Sequence, residues 1–223
     1  MLAVKNLEVV YQDVILVLRG ISFEIPKGEI VSLLGSNGSG KTTALRAITG
    51  LLDTQNGDIT KGEITVEDED ITNADPSKIV NLGIAQVLEG RRIFSELTVS
   101  ENLRLGGFTN DSASSKNMER VFELFPILKT RSKNISGYLS GGEQQMLTMC
   151  RTLMGDPELI MIDEPTEGLS PQMVQRVASL LKEIAKRGIA TLLVEQKLAI
   201  AMDIAHRVYV MGHGQVVFEG TPD

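Results

Sequence analysis

The chain has 223 residues, with 22 lysines and arginines against 29 aspartates and glutamates for a net charge of −7, and 42% of it is hydrophobic. That is an ordinary globular composition, long enough to bury a sizeable core, and its acidic balance argues against a broad nucleic-acid or anionic-lipid footprint. Cys150 stands alone, which excludes an intramolecular disulfide framework or a cysteine metal cluster and fits a reducing, cytoplasmic setting.

The start, Met1-Leu2-Ala3-Val4-Lys5-Asn6, lacks the apolar run of a signal peptide. No stretch approaches the ~18 apolar residues of a membrane span, so any membrane role is expected to come through partners. Residues 4–10 and 14–25 are short β-prone runs separated by Tyr11-Gln12-Asp13 and closed by Pro26-Lys27-Gly28. They predict an antiparallel β layer, to which residues 62–67 add a strand after a polar connection over 52–61. The apolar run Ile30-Val31-Ser32-Leu33-Leu34 reads as a buried strand, and residues 44–48 as a helix that Gly50 ends.

Between them lies Gly35-Ser36-Asn37-Gly38-Ser39-Gly40-Lys41-Thr42-Thr43, which fits the phosphate-loop pattern G-x-x-x-x-G-K-[ST] in its required strand–loop–helix setting. The glycines let backbone N–H groups turn inward around a phosphate chain, and the helix start adds free donors and positive dipole. Lys41 is expected to reach the β- and γ-phosphates, and the Thr42 hydroxyl to hold Mg²⁺. The plainer alternative, a flexible Gly/Ser turn before an ordinary helix, does not explain why a Lys-Thr pair falls in that register.

Further along, residues 84–88, 159–162, 189–194 and 208–211 are nearly continuous apolar runs, the mark of strands covered by helices on both faces. Residues 171–187 predict a helix with Ser170 as its cap, Pro171 in the first position, Met173, Val174, Val177, Leu180, Leu181 and Ile184 as its apolar stripe, and Gly188 as its end. The expected fold is α/β and doubly wound. Residues 95–155 break the alternation: 97–103, 118–128 and 143–154 are helical patterns with no strand between them. They predict an inserted helical lobe whose polar loop, 106–117, is the segment expected to move most.

Two further motifs carry chemistry. The strand ending in Asp163-Glu164 delivers two acids to the ligand edge of an α/β sheet. Asp163 suits a Mg²⁺ ligand, direct or through water, and Glu164 suits a group that orients and polarises an attacking water. In Leu139-Ser140-Gly141-Gly142-Glu143-Gln144-Gln145, Ser140 and Glu143 make a capping box. Two glycines in that first turn each cost helix stability, about 1 kcal/mol relative to alanine, and close approach to an anion is one reason to keep them. His206 and His213 do not fall in metal spacing and read as surface residues, and the nine methionines read as core filling.

The heptapeptide from Leu139 to Gln145, standing between a phosphate loop and an acidic strand, is similar to the signature of the ATP-binding-cassette family, and the resemblance covers the whole chain. It implies a P-loop NTPase (RecA-like) core with an N-terminal antiparallel β layer and an inserted α-helical subdomain. The division expected is one domain over 1–223, with 1–94 and 156–223 forming the core and 95–155 the helical subdomain. It also implies a head-to-tail pair of ATPase subunits in which Ser140, Gly141 and Gly142 of one subunit contact the γ-phosphate on the other's phosphate loop, with ATP and Mg²⁺ as cofactors. Tyr11, 24 residues before Gly35, matches the aromatic that stacks on adenine, although a half-buried strand-end tyrosine would look the same.

Three positions depart from the commonest cassette pattern. Glu89 stands where most members have a glutamine that senses Mg²⁺ and the transmembrane partner, with Gln86 the alternative in another register; Gln196 replaces the usual γ-phosphate histidine; and Ser170 replaces an inter-subunit aspartate. The departures narrow the subfamily: residues 88–94, 140–147 and 193–196 together resemble the F-type ATPase subunit of bacterial branched-chain amino acid importers, with a related urea or amide importer as the alternative. This implies transmembrane permease subunits, a like or sister ATPase subunit and, indirectly, a periplasmic or extracellular solute-binding protein, with no nucleic acid, at the cytoplasmic face of the plasma membrane. Arg91-Arg92 either contacts a membrane partner or is solvated. A soluble cassette ATPase of translation or DNA repair lacks support from a second cassette or a coiled-coil insertion, and a phosphate-loop kinase leaves residues 139–145 unexplained.

Overall fold

Two sheets and a set of helices divide the chain between them. A computed structural model describes residues 1–108 and 114–222; part of the loop expected to move most, at 109–113, lies outside the described residues. The N-terminal layer is an antiparallel sheet in the order β2-β1-β4-β5, built from β1 (Leu2–Tyr11), β2 (Ile15–Ile25), β4 (Gly57–Val66) and β5 (Glu69–Asp70). The central sheet has the order β10-β9-β3-β8-β7-β6: β3 (Ile30–Leu34), β6 (Ile84–Val87), β7 (Leu159–Asp163), β8 (Ala190–Glu195) and β9 (Arg207–Gly212) run parallel, and β10 (Gln215–Gly220) closes the edge antiparallel to β9. Both faces of this sheet are covered, as the apolar runs require.

The side-chain alternation of the central strands feeds two cores. Val31, Leu33, Leu159, Met161, Leu192 and Val194 point into a core shared with α1 (Lys41–Thr49) and the antiparallel layer. Ile30, Ile160, Ile162 and Leu193 point the other way, into a core with α3 (Val99–Gly106), α4 (Ser114–Leu124), α5 (Pro126–Thr130), α6 (Gly141–Leu153) and α7 (Pro171–Lys186). Two short helices, α2 (Pro76–Asn81) and α8 (Leu198–Ile204), complete the chain. The fold is the P-loop NTPase α/β architecture with an added β layer and helices between β6 and β7.

Several local expectations are corrected. The connection over 52–61 is not all loop: β4 begins at Gly57, because Gly57 to Lys61 pair with Tyr11 to Glu8 of β1 and their polar side chains face outward. The helix expected over 118–128 is two helices, since Pro126 has no N–H to donate and Phe125 before it adopts φ −138°, ψ 77°. Ser170 does stand at the N-cap of α7 with extended backbone, but its side chain makes no cap hydrogen bond. Strand β10 and helices α2 and α8 were not expected; each is only six or seven residues long. No helix among the described residues is long and apolar enough to cross a membrane.

Helix α6 is the hub of the second core, with Met146, Leu147, Met149 and Cys150 all fully buried. Burial pushes the Cys150 thiol up to about 12, so it stays protonated and packs as a small apolar group. Leu147→Ala is expected to destabilise the chain by about 2–5 kcal/mol, read by urea unfolding, because the rigid neighbours of α6 cannot close the cavity.

Candidate active site

The C-terminal ends of β3, β7 and β8 meet at one edge of the central sheet. Parallel registers place Leu34 beside Glu195, and Asp163 beside Val194. The phosphate loop leaves β3 there and enters α1 through Gly40, whose φ of 106° and close approach to Leu18 admit no side chain. Lys41 is 5% exposed, and its Nζ donates to the carbonyls of Gly35 at 2.7 Å and Ser36 at 3.2 Å. Ser39 is also buried, and its Oγ has no hydrogen-bond partner. A buried donor left unpaired inside a phosphate-cradling loop fits a bound phosphate.

Glu164 follows β7 in a left-handed conformation, φ 46°, held by its own N–H donating to the Val194 carbonyl at 2.9 Å. Its carboxylate accepts from the Gln196 amide nitrogen on both oxygens, at 2.8 and 2.7 Å, and lies 3.7 Å from Lys41 Nζ. Glu164 is thereby fixed from two sides. Asp163 is 5% exposed, and its pKa is raised from 3.8 to about 6, by burial first, then by the charges of Glu164 and Glu89, with Lys41 pulling the other way. Crowded acids with one lysine leave local negative charge, and an all-oxygen set of Asp163 and Thr42 suits Mg²⁺, which takes few protein ligands and completes its shell with phosphate and water.

A cleft of about 210 Å³ joins Asn37, Gly38, Gly40, Lys41, Thr42 and Thr43 to Glu89, Glu164 and Gln196. Val17 and Glu167 line it too; Val17 stands in no recognisable motif, whereas Glu167 begins the stretch Glu167-Gly168-Leu169-Ser170, in which Ser170 replaces the inter-subunit aspartate. Glu89 reaches this cleft, whereas Gln86 sits in β6 opposite Met161 and lines a groove on the other side with Arg151 and Thr152. A larger groove, about 770 Å³ between α5 and α7, carries none of these groups, so the chemistry rather than size marks the site.

Gly35, Ser36, Ser39 and Asp163 adjoin these residues in sequence without lining the cleft, and two further predicted groups lie away from it. Tyr11 is half-buried with its ring against Gly57, where an added Cβ would come within 2.7 Å, and its hydroxyl is buried without a partner. Ser140, Gly141 and Gly142 start α6, where the capping box forms: Ser140 N–H and Oγ donate to Glu143 Oε2 at 2.9 and 2.8 Å, and Glu143 N–H donates back to Ser140 Oγ at 3.4 Å. A side chain at either glycine would also have to displace the end of a flexible neighbour. A side chain at Gly141 would collide with the Arg91 guanidinium, and one at Gly142 would come within 2.6 Å of Met173. Arg91 also donates to the Glu167 carbonyl at 3.4 Å and has no ion-pair partner among the described residues.

A phosphate loop at a strand end, with two acids from β7, one strand beyond β8, and a neutral amide from the end of β8 holding the second, defines a nucleoside triphosphatase of the phosphate-loop class. The ABC transporter family model matches residues 18–167. The chain is 41% identical over 212 residues to the high-affinity branched-chain amino acid transport ATP-binding protein BraG of Pseudomonas aeruginosa, covering 95% of this chain and 89% of that one. It is 34% identical to the probable branched-chain amino acid transport ATP-binding protein LivF of Archaeoglobus fulgidus, covering 92% and 86%. A nucleotide-free ATP-binding cassette from an ABC transporter superposes with a TM-score of 0.86 at 30% identity, covering 100% of this chain and 92% of that one. The chain therefore belongs to the ABC transporter family, as one of its ATP-binding cassettes.

The charge state of Asp163 yields a pH test. Its folded pKa lies above the ordinary 3.8, so the folded chain keeps a proton that the unfolded chain releases. Stability from this group is full below about pH 4 and falls as pH rises through about 6, by roughly 1–2 kcal/mol after allowance for solvent screening. Without nucleotide, Asp163→Asn is expected to be more stable than the parent at pH 8 and equal to it near pH 4 in urea titrations.

Proposed function

We propose that this cassette is an ATP-hydrolysing subunit of a bacterial importer for branched-chain amino acids. The observation that carries the chemistry is the clamp on Glu164, between Gln196 and Lys41, at the mouth of the phosphate loop. The solute assignment is supported by the likeness to the transport protein of Pseudomonas aeruginosa over nearly the whole chain.

In this reading the inward N–H groups of residues 35–43 cradle the phosphates of ATP. Lys41 exchanges the Gly35 and Ser36 carbonyls for β- and γ-phosphate oxygens. Thr42 and Asp163 would hold Mg²⁺, which when bound offsets the charge of the phosphates and of the acids around Asp163. Glu164 orients a water in line with the γ-phosphate and takes its proton, and Gln196 keeps the carboxylate aimed while offering an N–H. Glu89, on the loop after β6, adds a carboxylate that responds to the ion and to the partner. Tyr11, with the exposed Val14 and Ile15 beyond it, supplies the apolar surface for adenine.

Because Ser140, Gly141 and Gly142 lie outside the chain's own cleft, the reading requires a second ATPase subunit, like or sister, that presents its own α6 start to the γ-phosphate in a head-to-tail pair. Closure of that pair would pull on transmembrane permease subunits docked around residues 88–101, where Leu88 and Phe94 are exposed. The assembly would sit at the cytoplasmic face of the plasma membrane and serve a solute-binding protein outside it.

The test is to express the chain with its neighbouring genes, isolate it from membranes and reconstitute what accompanies it. Permeases and a second cassette are expected, with ATP turnover raised by leucine, isoleucine or valine; ribosomes or DNA-bound proteins in place of permeases would overturn the importer reading. Glu164→Gln is expected to lower kcat roughly 100-fold or more while ATP still binds, whereas Lys41→Ala loses nucleotide affinity.

A further inference from the structure

Strand β8 ends in an unusual way. Residues 190–194 are buried and apolar except for Thr191, and by alternation Leu193 and Glu195 share the face covered by α7. Glu195 continues that apolar run as a carboxylate, 2% exposed. Burying a charged group costs several kcal/mol unless donors surround it. Here they do: Oε1 accepts from the Thr166 hydroxyl at 2.6 Å and the Thr166 N–H at 3.2 Å, and Oε2 accepts from the Gln196 N–H at 3.2 Å. Thr166 is itself 1% exposed. No lysine, arginine or histidine pairs with Glu195 among the described residues.

What these bonds tie together is the point. Thr166 lies two residues after Glu164, in the segment that turns from β7 toward α7, and Gln196 is the residue whose amide grips the Glu164 carboxylate. Glu164 itself is in a left-handed conformation that a side-chain-bearing residue adopts only when its surroundings hold it there. One buried carboxylate thus anchors both the backbone after Glu164 and the backbone of its clamp. An apolar residue would satisfy the core but leave the Thr166 N–H and hydroxyl without partners.

We propose that Glu195 is a positioning residue for ATP hydrolysis: through Thr166 and Gln196 it locks Glu164 in the orientation needed to direct water at the γ-phosphate. This rests on the reading of Glu164 as the group that promotes attack. Glu195 touches neither substrate nor metal in this scheme; its effect passes through Glu164.

The test is a double-substitution cycle on the full chain, with single-turnover ATP hydrolysis, nucleotide affinity and thermal melting measured for each variant. Glu195→Ala is expected to slow hydrolysis roughly tenfold or more in the parent, by less than about twofold once Glu164 is already Gln, and to leave nucleotide Kd within about threefold. Thr166→Val, which deletes the hydroxyl from the other side, is expected to behave in the same way, and Glu195→Gln to recover much of the rate because its carbonyl oxygen still accepts from Thr166. Equal losses with and without Glu164, or a loss confined to nucleotide affinity, would overturn the proposal. If Glu195→Ala fails to fold, Thr166→Val and Glu195→Gln decide it by the same comparison. Unchanged hydrolysis in Glu164→Gln alone would instead strike down the reading of Glu164, and that result is visible before Glu195 is altered.

Discussion

Parallel pairing of β3 with β8 and of β8 with β7 is the constraint on which the rest depends. It sets three strand ends at one edge, so that Gly35 leaves β3 beside Glu195 while Asp163 leaves β7 beside Val194. The hydrogen bonds that continue the ladder past the strands, Gly35 N–H to the Glu195 carbonyl and Glu164 N–H to the Val194 carbonyl, carry that alignment into the loops. Without it the phosphate loop, the acids and the amide of Gln196 would be three separate surface features. The covered faces make the arrangement stiff, because each strand is locked by alternating side chains into two different cores.

Charge then decides how this edge behaves. The charges of Glu164, Glu89 and Glu195 all bear on Asp163, opposed there by Lys41, an excess of negative charge that a phosphate chain alone would aggravate. A divalent cation would relieve it, which is the physical sense of placing an oxygen-rich set beside an anion-binding loop. The acids are held apart by different means: Glu164 by an amide and a lysine, Glu195 by three uncharged donors, Asp163 by a pKa raised toward 6. Gln196 is neutral at every working pH, so it grips Glu164 as an uncharged donor, unlike a histidine, which can become a cation.

The start of α6 obeys a second constraint. Its capping box satisfies the first N–H groups locally, and the glycines admit Arg91 from the loop after β6 and Met173 from α7. The segment that would meet a phosphate in another subunit is thus packed against the loop that would face the membrane partner and against the segment following Glu164.

Much of this was legible in the chain itself, because the signals are local. Gly35 to Thr43, Asp163-Glu164 and Ser140 with Glu143 lie in short contiguous motifs, and buried parallel strands announce themselves as unbroken apolar runs. Local signals also misled where pairing overrode them, as at Gly57 to Lys61, whose polar side chains hid a strand, and where a single residue, Pro126, divided a helix with continuous apolar spacing. The sequence by itself determined the fold class, the phosphate loop and the pair of acids at the end of β7. Only tertiary structure decided that Glu89 and not Gln86 enters the cleft, that Tyr11 leans on Gly57, and that Glu195 joins Thr166 to Gln196. Those relations connect residues from different strands and loops, and side-chain direction at a strand end is set by sheet register and neighbouring packing, which no local spacing encodes.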